Sequence, residues 1–451
     1  MTQPLFFAEA LLPTGWAAGV RCVLEGGRVA SLVSGTTAQP GDQCHAVALP
    51  GLPNLHSHAF QRGMAGMGER RGAGEDSFWS WRAVMYRFLD RLTPDDVAAI
   101  AAMAYVEMLE SGFTRVGEFH YLHHAPDGAP YAGAGMAGAI AAAAAESGIA
   151  LSLLPVFYAH AGFGGKAPEP AQRRFITGLD TYARLREQSG AALAGLDGAV
   201  LGCAPHSLRA VTPDELSALQ ALAPTGPFHI HIAEQQAEVD ACLGWSGARP
   251  LDWLFDHAPV DGRWCLVHAT HAEPHEVAKV AASGAVVGLC PITEANLGDG
   301  LFPARAFAEA GGAFGVGSDS NVLIDAAEEL RWLEYGQRLF HQRRNVLAPA
   351  PDSSTGMALF RAALAGGATA LGAPSGIAVG AAADFLTLDG NHPALAGARG
   401  EAWVDRWLFA AGRGGIDTVW RAGRQVVSGG RHYARDAVAS RYGEVLKGLV
   451  A

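Results

Sequence analysis

The chain has 451 residues, 49% of them hydrophobic and 17% charged, a composition typical of a globular protein with a large buried core. The formal net charge of −11 argues against nucleic-acid binding, because nucleic-acid-binding proteins carry clustered basic residues. The sequence has no uninterrupted apolar stretch that could span a bilayer, no signal-peptide pattern and no C-x-x-C pair, so we expect a cytoplasmic protein with free thiols and no membrane or nucleic-acid partner.

Both ends of the chain contain short β-like segments separated by turn residues. These segments are residues 5–12, 20–24, 29–33, 383–388 and 418–427. Gly26 and Gly27 lie between two of them and are a hairpin signal. Neither end has enough strands for a stable sheet. We therefore predict that residues 1–48 and 376–451 together form one small β-sandwich domain, and that residues 49–375 form a larger domain inserted between them.

The inserted part alternates apolar β-like runs with Ala- and Leu-rich helical stretches. The β-like runs end at Phe119, Phe157, His206, Ala233, Thr270, Pro291 and Asp319. The helical stretches are residues 94–111, 135–147, 213–222, 273–283 and 304–311. With the apolar run before His56, this gives about eight β–α units, the number in a closed barrel. The predicted fold is α/β: a (β/α)8 TIM-like barrel with a small β domain built from both chain ends.

Histidines and carboxylates stand at the ends of four predicted barrel strands. His56 and His58 are two residues apart, so a strand directs both to the same side, where they can share a metal ion. The others are His231 and Glu234 after the fifth strand, His268 after the sixth and Asp319 after the eighth. Barrel enzymes carry their catalytic groups on this C-terminal face. Any one of these histidines alone has a purely structural interpretation, but the whole set indicates a metal-dependent active site.

This set resembles the metal and catalytic residues of the amidohydrolase superfamily, in particular its aminohydrolases, in which H-x-x-E follows the fifth strand. The resemblance implies one zinc ion bound by His56, His58, His231 and Asp319. It also implies that Asp319 acts as general base and that Glu234 carries protons to the substrate nitrogen. His268 would polarise the substrate or stabilise the tetrahedral intermediate.

Three further features of the sequence refine this prediction. The strand ending at His206 contains no lysine, whereas binuclear members of the superfamily often bridge two metals with a carboxylated lysine at that place, so a single zinc per subunit is favoured. His229 lies deeper on the strand of His231 and is expected either to belong to the core or to support the metal ligands from behind. His271 lies off the strand face that carries His268 and is expected to support the site rather than bind the metal.

Two arginines indicate an anionic substrate. Arg209 follows the fourth strand, and Arg82 ends the aromatic-rich segment Ser77-Phe78-Trp79-Ser80-Trp81-Arg82, which we expect to be a loop. A guanidinium presents a planar fork that suits bidentate carboxylate binding. Each arginine could instead be the partner in a surface salt bridge.

Longer motifs resemble the aminohydrolases that convert N-formimino-L-glutamate to N-formyl-L-glutamate and ammonia in histidine degradation. The matching segments are residues 54–62, 78–82, 118–121, 160–165, 206–209 and 294–300. The resemblance implies a homodimer and a small anionic substrate bound by Gln61, Arg82, Tyr121, His206 and Arg209. Two alternatives stay open. A mononuclear-zinc deaminase of a purine, pyrimidine or related ring would share every metal ligand, and a non-catalytic barrel could serve as a scaffold.

Overall fold

The computed structural model describes residues 3–71 and 78–450, so residues 1–2, 72–77 (including Ser77 of the aromatic-rich segment) and 451 lie outside it. The strands are β1 Gln3–Leu12, β2 Gly15–Glu25, β3 Arg28–Val33, β4 Gln43–Pro50, β5 Leu52–Ser57, β6 Phe113–His120, β7 Ala150–Phe157, β8 Val200–Leu201, β9 Ala204–Pro205, β10 Phe228–Ile232, β11 Trp264–His268, β12 Val286–Leu289, β13 Ala313–Val316, β14 Phe385–Leu388, β15 Ile416–Arg421, β16 Arg424–Ser428 and β17 Arg431–His432. The helices are α1 Phe78–Leu89, α2 Pro94–Glu110, α3 Gly135–Ser147, α4 Leu179–Ala192, α5 Pro213–Leu222, α6 Gln236–Ser246, α7 Pro250–His257, α8 Pro274–Ser283, α9 Pro291–Leu297, α10 Ala304–Glu309, α11 Ala326–His341, α12 Thr355–Ala370, α13 Ala402–Arg406 and α14 Arg435–Val450. None of the helices in these described ranges combines the length and the apolar character that crossing a bilayer requires.

Strands from both ends of the chain form one sheet in the order β17-β16-β15-β14-β4-β1-β2-β3. The sheet has two apolar faces. Along β4, Ala48 belongs to a small core enclosed by the sheet, whereas Val47 and Leu49 pack into the main core. The sheet also folds back on itself, because the Ala383 N–H donates to the Gly27 carbonyl at 3.0 Å. The predicted β unit made from both chain ends is confirmed, and its boundaries at residues 48 and 376 stay a prediction.

The remaining strands form the barrel in two parallel arcs, β5-β6-β7-β8 and β10-β11-β12-β13, with β9 continuing the fourth position beside β7. Parallel bridges join the arcs at both seams, Cys203 to Phe228 on one side and Ser57 to Asp319 on the other. The barrel is therefore closed, as predicted. Because its strands are parallel, their C-terminal ends share one face. The second seam places the segment around His58 beside the end of the last strand.

Local sequence signals explain why several helices are predictable. Thr93 and Thr212 cap α2 and α5, and each is followed by proline and by an acidic residue that completes a capping box. Gly148 ends the Ala-rich helix α3 in the left-handed conformation, with φ 79°. The predicted stretches correspond to α2, α3, α5, α8 and α10. The sequence analysis did not identify the other helices, although Asp325 and Ser354 cap α11 and α12 through their side chains.

Two features of the C-terminal part differ from the prediction. Residues 418–427 are a hairpin, β15 and β16, and not a single strand. Its turn residues Ala422 and Gly423 have φ values of 47° and 71°, which suit a tight hairpin turn. The last helix, α14, packs on the barrel rather than on the sheet: Arg435 forms an ion pair with Glu110 of α2 at 2.8 Å.

Candidate active site

A cavity of about 590 Å³ opens at the C-terminal ends of the barrel strands. Among the residues predicted for the site, those that line it are His58, Gln61, Arg82, Tyr121, His206, Arg209, His231, Glu234, His268 and Asp319. His56 is fully buried and contacts two of these histidines. The structure thus brings the whole predicted set together, while the role of each residue stays a prediction.

Four side chains converge at the floor of the cavity: His56, His58, His231 and Asp319. The Nε2 atom of His56 lies 3.2 Å from Nε2 of His58 and 3.0 Å from Nε2 of His231. Asp319 Oδ1 lies 3.2 Å from His58 Nε2 and 3.6 Å from His56 Nε2. Tetrahedral zinc with bonds of about 2.0–2.1 Å requires ligand atoms roughly 3.3 Å apart. The separations therefore fit such an ion.

The hydrogen bonds of two of these imidazoles fix the side that faces the cluster. His58 Nδ1 lies 2.9 Å from the Phe119 carbonyl, and His231 Nδ1 lies 3.0 Å from the His206 carbonyl. A carbonyl only accepts, so Nδ1 carries the hydrogen in both rings and Nε2 presents a lone pair. Burial lowers the pKa of His58 to about 3, so the ring is neutral. Both Nε2 lone pairs therefore face the cluster, where together with His56 and Asp319 they could hold a metal ion.

A polar network joins the first and last strands around this floor. Asn321 donates through Nδ2 to Ser57 Oγ and to the carbonyls of His58 and Asp319, each at 3.1 Å. Ser318 accepts from Asn54 Nδ2 at 2.6 Å, on the same side of the barrel seam. These buried amides hold the backbone of two of the four converging residues, and so fix the distance between them.

Backbone strain concentrates at the same strand ends. Ala233, His268 and Asp319 have φ values of 50°, 69° and 44°, in the left-handed region that non-glycine residues avoid. Such strain persists where the surrounding structure imposes it, and it is common at functional sites. Here it turns the chain at the ends of β10, β11 and β13.

His268 stands among three carboxylates beside the metal cluster. Its Nδ1 lies 3.3 Å from Glu294 Oε1, and its Nε2 lies 3.9 Å from Glu234 Oε1 and 3.7 Å from Asp319 Oδ2. Burial alone would lower the pKa of His268, but these carboxylates raise it to about 10. Glu294 also accepts from the Cys290 N–H at 2.9 Å, which fixes its position. The arrangement can hold a protonated imidazole next to a reacting group.

The opposite wall carries Gln61 and Tyr121. Gln61 Nε2 donates to the Tyr121 hydroxyl at 2.7 Å, and that hydroxyl lies 3.3 Å from Met85 Sδ. Gln61 Oε1 is buried and has no hydrogen-bond partner among the described residues. It is therefore available to accept a hydrogen bond from a bound molecule.

The two arginines reach the cavity from different elements. Arg82 lies in α1, which corrects the prediction of a loop: the segment from Phe78 onward is helical. Its guanidinium lies 5.5 Å from the Trp79 ring centroid and 3.4 Å from the Tyr158 hydroxyl. Arg209 lies 5.9 Å from the same tryptophan ring, and its buried Nε has no hydrogen-bond partner in the described part of the chain. A buried guanidinium donor without a partner favours an anionic ligand.

Other lining residues were not identified from the sequence: Trp81, Met85, Tyr86, Tyr158, Phe175, Thr293, Leu297 and Ser320. Tyr158 directly follows β7, so the strand-end rule could have found it. Phe175 lies in a long loop, and no sequence signal marks it. Glu294 belongs to one of the matching motif segments, but its contact with His268 depends on how α9 begins.

Three further histidines lie outside the cavity lining. His229 Nε2 lies 2.7 Å from the Ala370 carbonyl, deep in the barrel. His271 bonds through its backbone N–H to the Ala233 carbonyl at 3.1 Å. His160 pairs with Glu215 of α5 at 2.9 Å. The rings of His229 and His160 thus have structural partners, whereas the buried Nε2 of His271 has no hydrogen-bond partner among the described residues.

Comparison with known proteins agrees with this architecture. The Amidohydrolase family profile matches residues 47–426, and the profile of the formimidoylglutamate deiminase HutF N-terminal domain matches residues 3–46. A formimidoylglutamate deiminase of Pseudomonas aeruginosa is 51% identical over 450 residues, covering 99% of each chain. A 5-methylthioadenosine/S-adenosylhomocysteine deaminase of Natronomonas pharaonis is 30% identical and covers 77% of this chain and 74% of its own length.

Solved structures extend the comparison. The crystal structure of an amidohydrolase from Brucella melitensis covers 100% of both chains with 54% identity and a TM-score of 0.97. An adenosine deaminase from Xanthomonas campestris with bound zinc covers 99% of this chain and 98% of its own, with a TM-score of 0.81. At 21% identity, this second likeness concerns the fold alone. The chain belongs to the amidohydrolase family and, within it, groups with the formimidoylglutamate deiminases.

Proposed function

We propose that this chain hydrolyses N-formimino-L-glutamate to N-formyl-L-glutamate and ammonia, in the cytoplasm and as a step of histidine degradation. The relative at 51% identity supports the reaction. One observation carries the substrate class: the buried Nε of Arg209 has no partner among the described residues, and Arg209 lines the same cavity as the metal-ligand cluster. A substrate carboxylate would supply that partner.

One zinc ion per subunit is part of the proposal, with His56, His58, His231 and Asp319 as its ligands. When bound, zinc lowers the pKa of a coordinated water to about 7 and so supplies a nucleophile at neutral pH. The tautomers of His58 and His231, each set by a backbone carbonyl, support this assignment because both Nε2 lone pairs face the cluster. The absence of a lysine from β8 and β9 supports a single ion.

The proton transfers are assigned to two carboxylates. Asp319, at the floor of the cavity, acts as general base and takes a proton from the attacking water. Glu234 delivers a proton to the amidine nitrogen, which leaves as ammonia. One water is consumed: its oxygen ends on the formyl carbon, and its two protons leave with the nitrogen. His268 lies 3.7 Å from Asp319 and 3.9 Å from Glu234, so a protonated ring there can stabilise charge that develops on the reacting carbon's substituents.

The other polar residues are assigned to binding. Arg209 pairs with a substrate carboxylate, and Arg82 supports it from α1 across the shared Trp79 ring. Gln61, Tyr121 and His206 line the wall between the arginines and the metal cluster, where polar groups of the substrate chain would lie. Their contacts with one another would then orient the formimino carbon over the metal site.

A ring deaminase is the competing function, because a methylthioadenosine/S-adenosylhomocysteine deaminase is 30% identical over 362 residues. The metal-ligand cluster does not separate the two functions. Against a neutral substrate such as methylthioadenosine the arginines do, because that substrate offers a guanidinium no charge to pair with. S-adenosylhomocysteine carries a carboxylate of its own, so the turnover of this compound and of N-formimino-L-glutamate must be compared directly. A non-catalytic scaffold would be free to lose cavity residues, whereas here the full set converges.

The decisive experiment is ammonia release from N-formimino-L-glutamate by zinc-loaded protein, with chelator-treated protein and an adenosine derivative as controls. We expect release that stops on metal removal and returns with zinc. We also expect chelation to lower the melting temperature, because an ion that binds only the folded state stabilises it. Release from the adenosine derivative alone would overturn the substrate assignment. A homodimer is also part of the proposal.

A further inference from the structure

We infer that one face of α11 is the surface through which two copies of this chain associate. This surface, the α11 face, consists of Trp332, Tyr335, Leu339 and Phe340, with Leu301 lying over the same helix. The inference rests on the proposed homodimer and names the surface that would form it.

The spacing of these residues places them on one side of the helix. Trp332, Tyr335 and Leu339 follow the i, i+3, i+7 pattern, and Phe340 extends the stripe on its flank. Leu301 joins the stripe because Gly336 has no side chain: a Cβ there would lie 2.7 Å from Leu301 Cδ2. Leu301 and Phe340 then border a common groove of about 650 Å³.

These side chains are exposed although they are large and apolar. Leu339 is 77% exposed, Phe340 70% and Leu301 51%, while Trp332 is 45% and Tyr335 38% exposed. The opposite side of α11 is buried against the barrel through Leu330, Leu333 and neighbours. Large apolar side chains therefore lie on the outward side of α11 as well as on its buried side, and an exposed apolar stripe of this kind is typical of a surface that binds a partner.

The charges of α11 are satisfied within the chain. Arg338 pairs with Glu334 at 2.7 Å and lies over the Tyr335 ring, and Arg331 pairs with Glu328. Glu328 shares the side of the stripe, since it lies four residues before Trp332, but its charge is paired with Arg331. Arg305 and Glu309, which border the groove, pair with each other at 2.8 Å. The face therefore offers an apolar surface whose bordering charges are paired within the chain, so its partner must be largely apolar as well.

The size of the face matches that of a dimer interface. Each of its five large side chains has a surface of about 150–250 Å², and the exposed fractions of the five together leave roughly 500 Å² of apolar surface. A stable interface buries about 800 Å² per partner, and in homodimers about 65% of that area is apolar. Each partner must therefore supply about 500 Å² of apolar surface. A two-fold axis pairs a surface with itself, and a second copy supplies the largely apolar partner that this face needs.

The test is the mass of the full-length, zinc-loaded protein in solution, measured by sedimentation at several concentrations. The variant carries Leu339→Glu and Phe340→Glu together, and the matched control is Val379→Glu, which alters an apolar residue 63% exposed elsewhere. Wild type and control should have twice the 46.9 kDa mass of one chain. The double variant should be a monomer, with self-association at least tenfold weaker and an unchanged far-ultraviolet spectrum.

Each outcome has a distinct meaning. A wild-type monomer would overturn the homodimer and with it the α11 face, while leaving the catalytic proposal to the ammonia assay. A double variant that stays dimeric would overturn the face alone. A single cysteine in place of Phe340 (Phe340→Cys) provides a second measurement that does not depend on the charged variant folding well. With the exposed native thiol removed by Cys44→Ser, a spin label there should report the label of the second copy in the dimer, and loss of that signal on dilution would accompany dissociation.

Discussion

Replacing Arg209 with alanine should weaken catalysis through the substrate and not through the fold. Arg209 lies over the Trp79 ring, and its Nε has no partner in the described part of the chain, so truncation leaves no internal hydrogen bond of that atom broken. At an effective dielectric of about 20, opposite charges about 4 Å apart attract by roughly 4 kcal/mol. Breaking a buried charge pair costs about 3–5 kcal/mol. We therefore expect kcat/KM for N-formimino-L-glutamate to fall by about a hundredfold or more.

The assay compares two substrates in two proteins. The second substrate is a formamidine whose nitrogen carries an uncharged alkyl chain in place of glutamate. If Arg209 pairs with a carboxylate, Arg209→Ala lowers kcat/KM for the charged substrate and leaves that for the neutral one nearly unchanged. Arg184→Ala on α4 is the matched control, since within the described residues the side chain of that exposed arginine bonds only to Thr181, at 3.3 Å.

Two results would refute this reasoning. An equal loss on both substrates would mean that Arg209 shapes the cavity and does not recognise charge. An unchanged kcat/KM for N-formimino-L-glutamate would remove Arg209 from the binding site and leave Arg82 as the remaining candidate.

Two further substitutions test how the site and its surroundings are held. Glu294→Gln keeps an acceptor but removes the charge beside His268 Nδ1, so kcat should fall about tenfold to a hundredfold with little change in KM; a parallel rise in KM would argue against a positioning role. Arg174 is 1% exposed and donates to the carbonyls of Leu89, Leu92 and His124, so Arg174→Ala should lower the free energy of unfolding by about 3–5 kcal/mol in urea titrations. The same change at its more exposed neighbour Arg173 should cost under about 1 kcal/mol, and equal losses would refute the distinction.

The parts of the fold that follow from sequence are those with a fixed period. Two alternate residues on one strand share a side, so the spacing of His56 and His58 is enough to pair them. Parallel strands share a C-terminal face, which puts His231 and Asp319 beside that pair. Capping residues such as Thr212 then indicate where helices begin.

The parts that do not follow from sequence depend on partners distant along the chain. The segment before Arg82 is rich in aromatic residues, which are poor helix formers, so its sequence favours a loop. In the fold, residues from Phe78 onward are the start of α1, and Trp81 lines the cavity. Ala422 and Gly423 interrupt a run of β-forming residues so briefly that the sequence predicts one strand where the fold has two. Residue propensity corrects neither error, because tertiary packing decides both.

At the candidate metal site, the sequence indicates that three histidines and an aspartate meet. It does not indicate which ring nitrogen of each histidine carries the hydrogen. For His58 and His231 this is decided by the carbonyls of Phe119 and His206, which accept from the Nδ1 atoms of the two rings. Those bonds turn both Nε2 lone pairs inward, where they can bind a cation. The case for a metal in this chain therefore rests on backbone oxygens that any residue could have supplied, held in place by the closure of the barrel.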